Sequence, residues 1–192
     1  VILVTIDGMR GDYIAAHAAM YKAIKANDTT DADGDGVVAA VGLSMSVAKW
    51  VATRANQEST NPDALAARDR IDYLFHYVFV DSAIHGTFDA NLDGASDEQH
   101  PEWAGTLDWL GLQYYFRAGV TAMPALLPVA NLTPCFGGFD LGACLPAPDP
   151  TYCVPRMGYE GWTDGIGDLL IAHAERYPDL PLVVTESGIA TE

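Results

Sequence analysis

The sequence predicts an α/β fold in which parallel strands are connected by helices. Six segments alternate between a helical and an extended pattern, which is typical of parallel strands with crossover helices. The first extended segment is an almost continuous apolar run, as in strands buried on both faces of a parallel sheet. Three parallel strands are too few to close a barrel or to form a typical open sheet. We therefore expect the 192 residues to be about half of a larger structure.

Three segments have the spacing and start signals of helices. They cover residues 12–26, 62–85 and 163–176. Asp12 is a capping residue type, and the pair Asn61-Pro62 is a common helix opening. Thr163 or Asp164 is expected to cap the third helix. In the first helix, apolar residues recur at helical spacing: Tyr13, Ala16, Met20, Ala23 and Ile24.

Three apolar runs of strand length alternate with these helices. They cover residues 37–45, 107–115 and 181–185, and Glu186 follows the last run directly. The polar segment 27–36 contains two glycines and is predicted to be a loop. The segment 118–161 holds most of the prolines and all the cysteines, and such a long irregular connection is usually functional.

The charge of the chain excludes some partners. Twenty-six acidic residues face ten basic ones, which gives a net charge of -16. So acidic a chain repels phosphate backbones and anionic membrane surfaces, so we expect neither nucleic acid nor membrane as a partner. No apolar run reaches the roughly 18 residues of a membrane span. The chain starts at Val1 without a visible signal peptide, and both ends are expected to be cut from a longer protein.

Three cysteines lie close together in the irregular segment, at Cys135, Cys144 and Cys153. Their odd number permits one disulfide and one free thiol, with the pairing open. They lack the CxxC spacing of a zinc site. A disulfide is expected only if the protein is exported.

Glu186 is the main candidate for chemistry. It stands at the carboxyl tip of a predicted buried strand and is followed by Ser187 and Gly188. In α/β barrels this tip carries the active site, and a partly desolvated carboxylate there suits a nucleophile or a general base. The alternative is an ordinary loop or helix-capping acid just past a strand.

The run Glu175 to Gly188 closely resembles the seventh-strand region of the family-one glycoside hydrolases, which include β-glucosidases and β-galactosidases. In that family the strand ends in Thr-Glu-Asn-Gly, and its Glu attacks the anomeric carbon of the sugar. The resemblance implies that Glu186 is a catalytic nucleophile. Ser187 departs from the family by replacing the Asn.

The run Leu107 to Tyr115 resembles the sixth strand of the same family, which usually ends in Asn-Tyr-Tyr. The final Tyr of that motif hydrogen-bonds the nucleophile, which implies an orienting role for Tyr115. Gln113 takes the place of the usual Asn and is a candidate for substrate binding. Ordinary packing at a strand end is the alternative for Tyr114 and Tyr115.

The run Met157 to Ile166 is similar to a family segment whose Trp lines the aglycone side of the cleft. Tyr159 stands in its place, which implies a substrate-binding aromatic wall. The resemblance as a whole implies one partial (β/α)₈ TIM-barrel domain over residues 1–192, from just after the fourth strand to the end of the seventh. It breaks at insertion-like loops, at about residues 28–36 and 117–156. His17 and His85 are interpreted as structural.

The resemblance implies a retaining β-glycosidase that acts on a small carbohydrate or β-glycoside without a cofactor. Its second carboxylate belongs to an Asn-Glu-Pro motif, which this chain lacks, so we expect the chain alone to be inactive. One alternative is a degenerate barrel that binds a carbohydrate or a partner without catalysis, suggested by Gln113, Ser187 and Tyr159. Another is an exported module stabilised by calcium. The protein is expected to be cytoplasmic or exported, with the cysteines favouring export.

Two acidic loops match the first half of a calcium-binding EF-hand loop. Their candidate ligands are Asp31, Asp33, Asp35, Asp89, Asn91 and Asp93. Neither loop has a Glu at its twelfth position, where Gly42 and His100 stand. Asx-rich turns in an acidic protein are the favoured interpretation, and structural calcium is the alternative.

Overall fold

The computed structural model describes residues 11–123, 132–135, 141–145, 153–154 and 159–188. Its helices are α1 (Gly11–Asn27), α2 (Pro62–Asp72), α3 (Val78–His85) and α4 (Gly165–Arg176). Its strands are β1 (Gly42–Arg54), β2 (Gln57–Glu58), β3 (Thr87–Phe88), β4 (Glu98–Gln99), β5 (Trp109–Ala122), β6 (Leu132–Pro134), β7 (Cys153–Val154), β8 (Tyr159–Glu160) and β9 (Leu182–Ser187). Among the helices of these residues, none is long and apolar enough to cross a membrane.

Three parallel strands form the centre of the sheet. β5 lies in the middle and pairs in parallel with both β1 and β9. Short strands add antiparallel pairs, in which β2 joins β1, β6 and β8 join β5, and β7 joins β8. β3 and β4 form a separate hairpin. The predicted arrangement of parallel strands and crossover helices is therefore confirmed.

Alternate residues of β1 and β5 enter one hydrophobic core with residues of α1, α3 and α4. Its buried members include Ile14, Ala18, Leu43, Val47, Val80, Ala83, Leu110, Leu112, Tyr114 and Leu169. Because side chains alternate along a strand, the residues between these strand positions face the other side of the sheet. Gly42, Ser44, Gly111 and Gln113 therefore share the opposite face.

The first strand starts later than predicted, at Gly42 rather than residue 37, and it runs on to Arg54. The backbone directly before it is held by two side chains and by one main-chain bond, in which the N–H of Asp108 donates to the carbonyl of Val41 at 2.8 Å. Asp108 accepts the N–H of Val41 at 2.8 Å, and Lys25 donates to the carbonyl of Ala39 at 2.6 Å. The apolar run from residue 37 was therefore misleading about where pairing begins.

The second strand is longer than predicted, because β5 continues past Tyr115 to Ala122. Residues 49–52 of β1 extend just as far and pair with residues 117–120 of β5. The segments predicted as irregular or insertion-like, 118–161 and 117–156, therefore begin as strand. Within them Cys135 and Cys144 form a disulfide, one of the pairings left open by the sequence.

The predicted helices are present, but three details were wrong. In α1 the buried residues are Ile14, His17 and Ala18, whereas Tyr13 and Met20 of the predicted apolar face are 39% and 38% exposed. Asp12 lies inside the first turn of α1 rather than before it. Asn61 caps α2 as predicted. Asp164 stands at the predicted N-cap position of α4 but makes no side-chain capping bond.

The long helical segment 62–85 contains a π-helical turn at Tyr73–Tyr77. This turn brings His76, which is fully buried, against β1, where its Nε2 accepts the N–H of Ala48 at 3.2 Å. The β1–β5 register shifts between Val47 and Lys49, so Ala48 sits at an irregularity of the ladder. The imidazole thus satisfies a buried N–H at the shift.

A polar cluster ties α3 to the segment that leads into β9. Arg176 binds both carboxylate oxygens of Asp81, at 3.1 and 2.5 Å, and Tyr177 donates to the same carboxylate at 2.8 Å. Burial, and then the Asp81 carboxylate, raise the pKa of Tyr177 far above its usual range. These contacts fix the end of α4 just before the strand that carries Glu186.

Candidate active site

Glu186 lies on β9 directly opposite Gln113 of β5. The register of the β5–β9 pairing shifts between Leu112 and Gln113, because Leu112 is opposite Val184 while Gln113 is opposite Glu186. Thr185 is therefore the extra residue of a β-bulge, a device that re-aims side chains next to active sites. Paired residues on parallel strands share a face of the sheet, so the bulge places Glu186 on the face of Gln113, away from the core.

A hydroxyl pair lies on this same face. Ser44 Oγ and Thr185 Oγ1 are 2.5 Å apart, although their strands are separated by β5. Gly111 lies beneath this pair, and a Cβ added there would come within 2.7 Å of Thr185 Cγ2. The face that carries Glu186 thus presents small and polar residues from three strands, together with the ring of Trp109, which lies against Gly42 and Gly111.

Tyr115 follows Gln113 by two residues and lies at a second register shift. Val47 is opposite Tyr114 and Lys49 is opposite Arg117, so Tyr115 and Phe116 together face one residue of β1. The backbone therefore brings Tyr115 to the carboxyl end of the parallel strands, beside the Gln113–Glu186 pair. Its orienting role toward Glu186 stays a prediction.

Tyr159 reaches the same region through its backbone. It belongs to β8, whose Glu160 is opposite Arg117 of β5. Nearby, the buried Tyr114 donates to the carbonyl of Trp162 at 2.5 Å and fills the space beside Gly165 at the start of α4. The structure thus brings the backbones of Gln113, Tyr115, Tyr159 and Glu186 to one end of the sheet.

Sequence reasoning missed a charged groove of about 490 Å³ beside this end. Lys49 binds Asp168 at 2.5 Å, and the Arg117 guanidinium lies 4.0 Å from the ring centroid of Trp162. The hydroxyl pair was missed too, although residues 42–47 alternate small or polar residues with apolar ones. That period of two was the available signal for a polar strand face.

The first acidic loop lies far from this site in sequence. It is held together by hydrogen bonds from its own backbone N–H groups to its aspartates. Asp31 accepts the N–H groups of Gly34 at 2.8 Å and Gly36 at 3.0 Å, and these bonds, Gly36 first, lower the pKa of Asp31. The exposed carboxylates of Asp31, Asp33 and Asp35 come within 4.8 Å of one another. Calcium binding here stays the untested alternative to an Asx-rich turn, and a thermal midpoint unaffected by calcium and by a chelator would exclude it.

The second acidic loop is organised differently. Asp89 is 2% exposed and accepts the N–H groups of Asp93 and Gly94, at 3.0 and 2.7 Å. Asn91 donates to Asp97 at 3.0 Å. The candidate ligands of this loop therefore take part in Asx-turn hydrogen bonds, as the favoured interpretation expects, and calcium binding here also stays an untested alternative.

His17 has the structural setting predicted for it. Its ring is buried, and Nε2 donates to the carbonyl of Thr106 at 2.7 Å. Burial lowers the pKa of His17 more than this hydrogen bond raises it. His85, at the end of α3, is exposed and lines a cavity with Arg176 and Tyr177 rather than the face of Glu186.

The chain is similar in sequence to two curated proteins, each over part of that protein's length. No family model matches the chain. The chain is 32% identical over 182 residues to a protein named beta-galactosidase from Pyrococcus woesei, a match that covers 92% of this chain and 34% of the relative. It is 30% identical over 99 residues to a chloroplastic benzoxazinyl glucoside beta-D-glucosidase of Zea mays, covering 48% of this chain and 17% of that protein.

Solved structures give the same fold. A GH1 beta-glucosidase from Humicola insolens matches 95% of this chain and 38% of its own, with a TM-score of 0.68 and 20% identity. The described strands form a partial (β/α)₈ barrel, and the chain spans about a third of the length of the archaeal relative. This chain is thus similar in sequence to about a third of a protein named beta-galactosidase, and similar in fold to the corresponding part of a GH1 beta-glucosidase.

Proposed function

We propose that this chain supplies the nucleophile of a retaining β-glycosidase, similar to a β-glucosidase, and that Glu186 is this nucleophile. The observation that carries the proposal is the position of Glu186 at the carboxyl end of a parallel strand, opposite Gln113 and directly after a bulge. Barrel enzymes place catalytic groups at this end of their strands. A small carbohydrate or β-glycoside is the proposed substrate.

The reaction proceeds by two displacements. The Glu186 carboxylate attacks the anomeric carbon, the bond to the leaving oxygen breaks, and a second carboxyl group protonates that oxygen. The same second group then takes a proton from water, which attacks the anomeric carbon and releases Glu186. No cofactor is needed for either step.

The second carboxyl group is proposed to come from outside these 192 residues. It must lie about 5 to 5.5 Å from the nucleophile in a retaining enzyme. The chain has no Asn-Glu-Pro sequence, which is the segment the resemblance predicts for it. The proposal therefore includes that the chain alone is inactive.

Three further residues complete the proposed site. Tyr115 is to donate its phenol O–H to the Glu186 carboxylate, which would stabilise the ionised form and fix its direction. Gln113, opposite Glu186, is to bind a sugar hydroxyl, and Tyr159 is to offer an aromatic surface to the substrate.

A substitution test with stereochemical analysis checks the proposal on the full-length product of the gene that encodes this chain. Aryl β-glucosides and β-galactosides are suitable substrates, since the two curated relatives are named for these sugars. Glu186→Gln is expected to lower kcat/KM by about 10³-fold or more. Glu175→Gln, on the exposed side of α4, is the matched control and should retain activity.

The anomeric form of the first product, followed by NMR, gives the second readout. Release of the β-anomer supports two displacements at the same carbon. Release of the α-anomer, or full activity of Glu186→Gln, would contradict the proposal.

A non-catalytic barrel is the second candidate. Gln113 is paired with Glu186 on the neighbouring strand, and Ser187 follows Glu186 in the chain. Both residues depart from the family pattern, which is the reason to consider this candidate. Sugar binding by calorimetry, without turnover of either aryl glycoside, would favour this candidate.

A further inference from the structure

The hydroxyl pair of Ser44 and Thr185 joins two strands that are not neighbours. Ser44 belongs to β1 and Thr185 to β9, and β5 runs between them. Adjacent strands are about 4.8 Å apart, so the two backbones are separated by roughly twice that distance. A distance of 2.5 Å between their oxygens therefore requires both side chains to converge on the concave face of the sheet.

Gly111 makes this convergence sterically possible. A Cβ at this position would lie 2.7 Å from Cγ2 and 3.0 Å from Oγ1 of Thr185. Carbon atoms at such distances repel strongly, since favourable contact begins near 3.5 Å. The absence of a side chain on the middle strand leaves the space in which the two hydroxyls meet.

Thr185 is also the bulged residue that directly precedes Glu186. The β5–β9 register changes across it, and its Oγ1 lies 3.4 Å from the carbonyl oxygen of Leu112. A bulge interrupts the ladder and bends the strand, so the ladder alone does not fix the direction of the next side chain. The bond to Ser44 supplies a further restraint from a third strand.

We propose that Ser44 is a positioning residue for catalysis. Its hydroxyl holds Thr185 and, through the bulge, sets the direction of the Glu186 carboxylate. Ser44 itself does not touch the reacting atoms. This inference rests on the proposed role of Glu186 as the nucleophile, and its test separates the failure of one from the failure of the other.

The test measures how fast Glu186 becomes labelled by a 2-deoxy-2-fluoro-β-glycoside in the full-length gene product. Ser44→Ala and Thr185→Val each remove one hydroxyl of the pair, and Ser44→Thr keeps it. Thr29→Val is the matched control, because Thr29 lies in the exposed loop before β1, at the amino end of the strands. Thermal midpoints are measured for every variant.

Ser44→Ala and Thr185→Val are each expected to slow labelling and to lower kcat by about 10-fold, with KM little changed. The double variant should be no slower than the slower single variant, because both lose the same bond. Ser44→Thr should stay within about 3-fold of the unmodified protein, and Thr29→Val should match it. A purely structural role would lower the thermal midpoint without this split between kcat and KM.

Three outcomes overturn the inference. If Glu186 is labelled equally fast in Ser44→Ala and in the unmodified protein, or if the two single losses multiply, Ser44 does not position the nucleophile and the proposed function stands. If the unmodified protein is never labelled on Glu186, the proposed function fails and this inference fails with it.

Discussion

The Nε2 atom of His76 accepts the main-chain N–H of Ala48 at 3.2 Å, inside the protein. A π-helical turn presents the histidine, and a shift in strand register frees the N–H. Since Nε2 accepts, the ring proton lies on Nδ1, which is 3.0 Å from a carboxylate oxygen of Asp72 but poorly aligned for a hydrogen bond. Two irregularities, one in a helix and one in a strand, thus stabilise each other.

The first prediction follows from this contact. His76→Leu leaves a buried N–H without an acceptor and should destabilise the protein by about 1–3 kcal/mol. The amide of Ala48 should also exchange its hydrogen faster, which mass spectrometry of the peptide that contains it will show. His85→Leu, at an exposed histidine, is the control and should change stability by about 0.5 kcal/mol or less. Unchanged exchange at Ala48 in His76→Leu would refute this role.

The second prediction concerns the two oxygens of Asp81 that bind Arg176. Arg176→Lys replaces a planar two-point donor by a single ammonium and should lower stability by about 1–2 kcal/mol. Arg68→Lys is the control, because Arg68 makes a one-point pair with the exposed Asp69 and should lose almost nothing. Equal thermal midpoints for the two variants would contradict the importance of the paired geometry.

The third prediction is a loss of stability at mildly acidic pH. Burial lowers the pKa of both His17 and His173 below the usual value of 6.5. The unfolded chain therefore binds protons first as the pH falls, so stability is full above about pH 6.5 and declines below it. His17→Gln, which keeps an N–H donor but does not titrate, should reduce this slope between about pH 6.5 and 5. An unaltered slope would show that His17 is not responsible.

The fourth prediction concerns Asp108, directly before β5. Burial alone would raise its pKa, but hydrogen bonds from Lys25, Val41 and Tyr21 together lower it. Its contribution to stability is therefore present above about pH 3.9 and is lost as the pH falls through its lower folded-state pKa. Asp108→Asn should destabilise the protein by about 1–2 kcal/mol at neutral pH and by less at pH 3. The same loss at both pH values would argue against a charge effect.

The sequence predicted the parts of the fold that depend on local pattern. The apolar runs before Tyr115 and Glu186 and the capped start of α2 were found from residue type and spacing alone. The start of β1 could not be found in this way, because it depends on Asp108 and Lys25, which are distant in sequence from the backbone they bind. The extension of β5 to Ala122 depends on an equally long partner in β1.

The candidate site was predicted in residue type but not in geometry. Glu186 and Gln113 were recognised separately, whereas their direct pairing follows from the bulge at Thr185. A bulge depends on how two strands pair, so it cannot be predicted from the sequence of either strand alone. The contact of Ser44 with Thr185 crosses a third strand and requires the curvature of the assembled sheet.

The central claim, that Glu186 is the nucleophile, is tested most directly by peptide mass mapping of the full-length gene product after treatment with a 2-deoxy-2-fluoro-β-glycoside bearing a good leaving group. A fluoroglycosyl group on the side chain of Glu186 is the predicted result. No adduct on folded protein with both gluco- and galacto-configured reagents, or an adduct on another carboxylate, would contradict the account.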